Sequence, residues 1–279
     1  MDWIDALILG LVQGLAEYLP ISSSGHLEIC REVLGLQLAG AEALEFDTAL
    51  HVATVLSTIV VLWRKFVPLC VSFFTWRRDD NFSYVCKILV SCIPVAIVGV
   101  FFKDTVENFF GGSLTLVGCC LLVTAALLSF AYFFRTRPTL EQAVADGSSK
   151  DPGHGVRWID AVAMGIAQSI AVLPGLSRSG TTIATCISMG ARRSAVAEFS
   201  FFMVIIPILG EALLNVMDMA SGESAVMNTI GWLPLTVGFV ASFVSGCAAC
   251  KWMIEIVKRG KLVWFAVYCV AMGLVCILW

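Results

Sequence analysis

Charge is what this sequence has least of. Among 279 residues, Asp, Glu, Lys and Arg make up 14%, and the net charge is only −3. Soluble globular domains carry about 25% charged residues, so an ordinary aqueous fold is excluded. The lack of a basic surplus also excludes a domain that coats nucleic acid. A disordered chain is ruled out because 58% of the residues are hydrophobic. Histidine is scarce too, at three residues, and none stands at zinc spacing from a cysteine. The eleven cysteines are odd in number and lie mostly in apolar runs, so no disulfide framework is expected. Cys247 and Cys250 form a CxxC inside such a run, where packing is the expected role. There is no basic region before the first apolar stretch, which Asp2, Asp5, Gln13 and Glu17 interrupt, so a cleavable signal peptide is not expected.

What the chain has in quantity is long hydrophobic runs. Six reach about the 17–25 residues that a bilayer crossing needs, at about 47–63, 86–102, 114–134, 198–217, 229–250 and 262–279. Lys and Arg cluster at Arg64, Lys65, Arg77, Arg78 and Lys87, again at Arg135, Arg137, Lys150 and Arg157, and finally at Lys251, Lys258, Arg259 and Lys261. By the positive-inside rule these three groups are cytoplasmic, which puts both termini outside. The expected class is an all-α polytopic membrane protein.

Two segments remain, a first at 3–46 and a second at 158–197. Each reads as apolar, then a Pro/Ser/Gly knot, then apolar again, the pattern of a re-entrant helical hairpin. They are also related to one another. Trp3-Ile4-Asp5-Ala6 recurs as Trp158-Ile159-Asp160-Ala161, a shift of 155, and in the same register Gly10, Gln13, Ser22, Ser24 and Gly25 fall on Gly165, Gln168, Ser177, Ser179 and Gly180. Glu45-Phe46 recurs as Glu198-Phe199 with a shift of 153. The chain is therefore read as two repeats, 1–134 and 158–279, each a hairpin followed by three crossings. A cytoplasmic linker at 135–157 joins them, with His154 solvated. Three crossings are an odd number, so the repeats are inverted, a design that places a site near the midplane.

Polar backbone at membrane depth is tolerated where protein or water surrounds it. Two inverted hairpins would bring the first knot, Leu19 to His26, against the second, Leu173 to Thr182. After each knot a half-helix restarts, and its free N–H groups attract anions. Ser22, Ser23, Ser24 and Gly25 on one side and Ser177, Ser179, Gly180 and Thr182 on the other suit a phosphate or diphosphate. Arg178 supplies the charge; mid-segment, an arginine costs about 2.5–3.5 kcal/mol to insert even on a lenient scale. Snorkelling to the interface is its alternative. Gln13 and Glu17, four apart on one helix face, are candidates for holding a divalent cation, and Glu17 also for a base. Their alternative is a hydrogen bond to a neighbouring helix. His26 is a candidate acid, base or nucleophile, or else a histidine bonded to a backbone carbonyl. Glu198, Asp47 and His51 occupy the first turns of crossings that follow hairpins. Glu198 is taken as a substrate-binding candidate, Asp47 and His51 remain open, and Glu211 is unexplained.

At these residues the sequence resembles the undecaprenyl-diphosphate phosphatase family of bacteria, also called bacitracin-resistance proteins. The first motif is carried by Gln13, Glu17, Pro20, Ser22, Ser23, Ser24, Gly25 and His26, and the second by Pro174 through Gly180, with Thr182 and the run Glu198 to Phe201. The resemblance implies hydrolysis of undecaprenyl diphosphate outside the cytoplasmic membrane, recycling a lipid carrier for peptidoglycan synthesis and conferring bacitracin resistance. It also implies a divalent cation, Mg²⁺ or Ca²⁺. Gln13 departs from the glutamate of many members, which leaves Glu17 to carry more of any metal chelation. Ser24 stands where some members have threonine.

On this reading the polyprenyl diphosphate lies between the knots, with Arg178 and the second knot holding its oxygens. Ser23, or else a water, attacks phosphorus, with Glu17 or His26 as base. Membrane lipids surround the protein, nucleic acid is not a partner, and a homodimer is the oligomeric state to test. The rival from another class is a lipid-phosphate transporter or flippase, since inverted repeats with broken helices also serve transport.

Overall fold

The computed structural model describes residues 1–36, 38, 41–102, 113–133, 144–145, 154–220, 230–259 and 262–279. Among the described residues the structure is helical without strands. In chain order the helices are α1 (Trp3–Ala16), α2 (Ser23–Val33), α3 (Ala41–Val61), α4 (Trp63–Phe74), α5 (Asp80–Phe101) and α6 (Leu114–Phe133). The second half contributes α7 (Trp158–Ile170), α8 (Arg178–Ser188), α9 (Arg193–Met203), α10 (Ile205–Ala220), α11 (Trp232–Lys258) and α12 (Val263–Leu278).

Five segments are long and apolar enough to cross a membrane: Glu42–Val61, Asp80–Phe101, Leu114–Phe133, Arg193–Met217 and Trp232–Val257. The sixth expected crossing corresponds to α12, an apolar helix of 16 residues. The helices α3, α5 and α11 outrun the expected limits because charged residues extend them. Glu42 and Glu45 lie inside α3 and Asp80 opens α5, while α11 continues through Lys251 and Glu255. A hydropathy reading stops at such charges; a helix does not need to. The helix α4, with Pro68 inside it, was not expected at all, because its basic ends hid a short helical stretch. Most of the 135–157 linker lies outside the described residues. His154, expected to be merely solvated, pairs its Nε2 with Asn81 Oδ1 at 2.9 Å and rests its ring against Tyr84.

The fourth expected crossing is two helices, α9 and α10, separated at Val204. Pro207 accounts for the break: it has no N–H to donate to the Met203 carbonyl four residues back, and its ring crowds that carbonyl. The freed Met203 oxygen instead accepts from the Cys92 thiol of α5 at 3.3 Å.

Each hairpin opens on an aspartate that reaches back to cap it. Asp5 Oδ2 accepts from the Asp2 N–H at 3.1 Å, and Asp160 Oδ2 from the Arg157 N–H at 2.9 Å. The packing of the halves is reciprocal. The helix α1 lies along α11, α7 lies along α5, and α6 lies against α12. Small residues permit each contact, as expected where helices associate without a hydrophobic drive. A Cβ on Gly10 would stand 2.3 Å from the Gly238 carbonyl, and one on Gly165 would stand 2.5 Å from the Ser91 carbonyl. Gly118 and Gly273 face each other, a Cβ on either lying within 2.7 and 2.9 Å of the other's carbonyl. These backbone contacts bring the two knots together at the centre.

Gly118→Val therefore separates α6 from α12 and costs about 1–3 kcal/mol, read as a lower thermal midpoint in detergent. Gly210→Ala, with nothing within 4 Å of its new Cβ, leaves the midpoint unchanged or raises it, since helical Gly gives up about 0.5–1 kcal/mol to Ala. Equal midpoints for the two variants would contradict the packing.

Candidate functional site

The first knot runs from Glu17, just past the end of α1, to the start of α2. The second runs from Ala171 to the start of α8. Both half-helices restart in the same way. Ser22 caps α2 by accepting from the Gly25 N–H at 3.3 Å, and Ser177 caps α8 by accepting from the Gly180 N–H at 3.0 Å. Ser24 and Ser179 lean on these caps, each hydroxyl 3.4 Å from the capping one. So four of the candidate serines build the two helix N-termini. Ser22 does this at φ +70°, a conformation that a side-chain-bearing residue adopts rarely and at a cost. The Ser22 carbonyl, which accepts from both the His26 N–H and Nδ1, helps to hold it there.

The knots touch. A Cβ on Gly25 would lie 2.9 Å from Gly175 Cα, and one on Gly180 3.2 Å from Pro20. Ser179 Oγ donates to the Leu19 carbonyl at 3.1 Å. Gly175, at φ +88°, needs to be glycine for conformation as well as for space.

At this junction lies Glu17, whose side chain is 8% exposed. Its Oε1 accepts from Arg178 at 2.9 Å. Its Oε2 accepts from Ser23 Oγ at 2.7 Å and from Gln13 Nε2 at 2.9 Å. The Gln13 nitrogen must be the atom turned towards Glu17, because a carboxylate only accepts. That leaves Gln13 Oε1 buried without a partner. His51 brings Nε2 to 3.5 Å from the same Oε2, while its Nδ1 bonds the Asp47 carbonyl. A serine hydroxyl on a buried carboxylate is a nucleophile next to its base. A guanidinium on the other oxygen is a ready partner for phosphate. Glu17, Arg178 and Ser179 also line a cavity with Tyr18, Thr54, Thr58 and Ser200.

The remaining candidates are placed elsewhere. His26 does not join the Glu17 cluster: its Nδ1 lies 2.7 Å from the Ser22 carbonyl and its Nε2 2.7 Å from the Tyr268 hydroxyl. The backbone-carbonyl alternative thus accounts for one of its nitrogens. Thr182 donates to the Arg178 carbonyl at 2.9 Å and pairs with Ser200, backing the second knot from behind. Glu198 pairs with Lys65 of α4 instead of meeting either knot. Asp47 holds the buried Arg31 through two bonds of 2.7 and 3.0 Å, with Glu28 on the same guanidinium. Glu211 accepts from Thr48.

Several contributors escaped the sequence reading. Arg31 sits in a polar helix where a charge looked solvated, so nothing in its spacing marked it. Thr124, which accepts from the Ser177 N–H at 3.1 Å, lies in a charge-free run where a lone hydroxyl is unremarkable. Tyr268 had a signal, being one of four tyrosines and the polar tip of an otherwise apolar crossing.

The chain matches the family model described as bacitracin resistance protein BacA over residues 6–275. It is 52% identical over 277 residues to an undecaprenyl-diphosphatase of Parabacteroides distasonis, covering 99% of this chain and 98% of that one. With the protein of the same description from Bacteroides thetaiotaomicron it shares 51% over 278 residues, covering 100% and 99%. The Oceanobacillus iheyensis undecaprenyl-diphosphatase is 34% identical over 273 residues, covering 95% and 92%.

Asp47→Asn leaves Arg31 short of a buried counter-charge and lowers stability by about 3 kcal/mol. Combining Arg31→Met and Asp47→Leu with Glu28→Gln recovers most of that loss, because none of the three charges is then left buried. Thermal unfolding in detergent distinguishes the two, and equal losses would show that the pair carries no such weight.

Proposed function

This chain belongs to the bacitracin resistance protein BacA family, and from that membership we infer its activity: it is an undecaprenyl-diphosphatase, hydrolysing undecaprenyl diphosphate to undecaprenyl phosphate and phosphate. The reaction returns the lipid carrier to cell-wall synthesis, and removal of the diphosphate confers resistance to bacitracin. The observation that carries the site assignment is the Glu17 carboxylate, bonded at once by Ser23 of the first knot and Arg178 of the second.

We propose that the diphosphate enters between the knots and draws Arg178 from Glu17 to its own oxygens. The N–H groups and hydroxyls of Ser177, Ser179, Gly180 and Thr182 support it there, stabilising charge in a loose phosphoryl-transfer transition state. Released from Arg178, Glu17 gains basicity and takes the proton of Ser23 as its Oγ attacks the terminal phosphorus. The bond from that phosphorus to the bridging oxygen breaks, and undecaprenyl phosphate leaves. Glu17 passes the Ser23 proton to solvent; water then attacks the phosphoserine, Glu17 takes the water's proton and returns it to Ser23 Oγ as phosphate leaves. Direct attack by a water in place of Ser23 uses the same base and the same anion holders. A divalent cation, Mg²⁺ or Ca²⁺, is proposed at Glu17 and the orphaned Gln13 Oε1, where it would neutralise charge on the diphosphate.

The inverted repeat with six crossings is proposed on the reciprocal packing. The knots are related by the shift of 155, and Gly118 and Gly273, which face one another, stand at that same shift. Residues related by a two-fold axis meet each other on the axis, which is what this pair does. The basic clusters support an inner-membrane orientation with both termini and the site mouth on the outer side. A homodimer in the membrane is a further proposal.

Detergent-solubilised protein releases phosphate from C55 diphosphate, a result that a transporter lacking hydrolysis cannot give. Glu17→Gln and Ser23→Ala each lower turnover about 100-fold or more while the thermal midpoint persists, and Arg178→Ala lowers turnover as far with a lower midpoint, because it leaves the buried Glu17 carboxylate without its cation. Near wild-type turnover in any one removes that residue from the chemistry. Chelation slows the reaction and added Mg²⁺ or Ca²⁺ restores it; indifference to chelator would contradict the cation.

A further inference from the structure

His26 stands in the first turn of α2, 9% exposed, and both its ring nitrogens are engaged within the protein. The Ser22 carbonyl can only accept, so Nδ1 carries a proton, and in the neutral ring assigned here Nε2 keeps its lone pair. The Tyr268 hydroxyl therefore donates to Nε2, from a helix 242 residues further along the chain. The two rings lie 15° from parallel with centroids 5.6 Å apart. Cys269, the next residue, donates its thiol to the Pro20 carbonyl at 3.6 Å, so α12 meets the first knot at two consecutive positions. Nothing in the reaction steps above uses Tyr268.

We propose that Tyr268 is a positioning residue for the reaction, acting on Ser23 through His26. The link runs through named bonds. Tyr268 fixes the tautomer and plane of His26, and His26 Nδ1 then grips the Ser22 carbonyl. That grip holds Ser22 in its left-handed conformation at φ +70°, and the following residue presents its hydroxyl to Glu17 at 2.7 Å. The second knot has no copy of this link: Thr181 stands where His26 would fall, and its hydroxyl is buried without a partner. The proposal rests on the phosphatase reading, with Ser23 as the group to be aligned.

The test is Tyr268→Phe, which keeps the stacked ring and removes one hydroxyl. Phosphate release from C55 diphosphate gives kcat and KM, and histidine-selective ¹⁵N NMR of the detergent-solubilised protein reads the imidazole nitrogens. With three histidines in the chain, His26 is assigned by the signal lost in His26→Gln. The wild type shows Nδ1 protonated and a hydrogen-bonded, unprotonated Nε2. In Tyr268→Phe the Nε2 resonance moves to its unbonded position, kcat falls about tenfold, the loss of one hydrogen bond, and KM stays within about twofold. Unchanged kcat with a moved resonance overturns the proposal, as does a wild-type His26 protonated at Nε2 or at both nitrogens. The wild-type spectrum decides this even if the variant does not fold. Absence of phosphate release by the wild type would overturn the phosphatase reading itself, and the nitrogen spectrum separates that failure from this one.

Discussion

A carboxylate with so little of its surface open to solvent has to be compensated where it stands, and Glu17 is compensated from both halves of the chain. Gln13 and Ser23 come from its own hairpin, Arg178 from the other, and His51 from the helix that follows. Neither knot could keep this arrangement alone. Without the second, Glu17 would be a buried unpaired charge; without the first, Arg178 would be a costly cation in an apolar segment. Each half supplies the charge that makes the other tolerable, and the meeting point is where a diphosphate would find a donor array, a hydroxyl and a base.

The halves are alike in capping and unlike in chemistry. Ser22 and Ser177 accept from the N–H three residues on, the first at φ +70° and the second at φ −67°, and Ser24 and Ser179 lean on those caps in the same way. At the shift of 155, however, Ser23 corresponds to Arg178, Glu17 to Val172 and His26 to Thr181. The second knot thus carries an arginine where the first carries a serine, and it has no carboxylate of its own.

Much of this was legible beforehand, and for physical reasons. Hydrophobic runs report helices long and apolar enough to cross a bilayer, and the repeated Trp-Ile-Asp-Ala with its glycines and serines in register anticipates the two serine-capped knots. The knots stood out because Ser, Gly, Pro and Arg are expensive in apolar surroundings unless something satisfies them. What was hidden was what depends on partners distant in sequence. By hydropathy Glu198 falls at the start of a crossing like a site residue, yet it lies inside α9 and pairs with Lys65 of α4, a helix that no periodicity announced. Asp47 looked equally available, but the buried guanidinium of Arg31 claims it. The break at Val204 follows from Pro207, but hydropathy carries no record of a missing N–H and the span read as continuous. Likewise, nothing near His26 in the sequence points to a tyrosine of the last helix.

The account turns on whether one anion is shared by the two hairpin tips. The position of phosphorus in a structure with a bound non-hydrolysable diphosphate analogue measures this directly. The terminal phosphorus is expected about 3–3.5 Å from Ser23 Oγ, with Arg178 turned from Glu17 onto the phosphate oxygens. A diphosphate seated against one knot alone, or with Arg178 still on Glu17 and Ser23 out of reach, would contradict it.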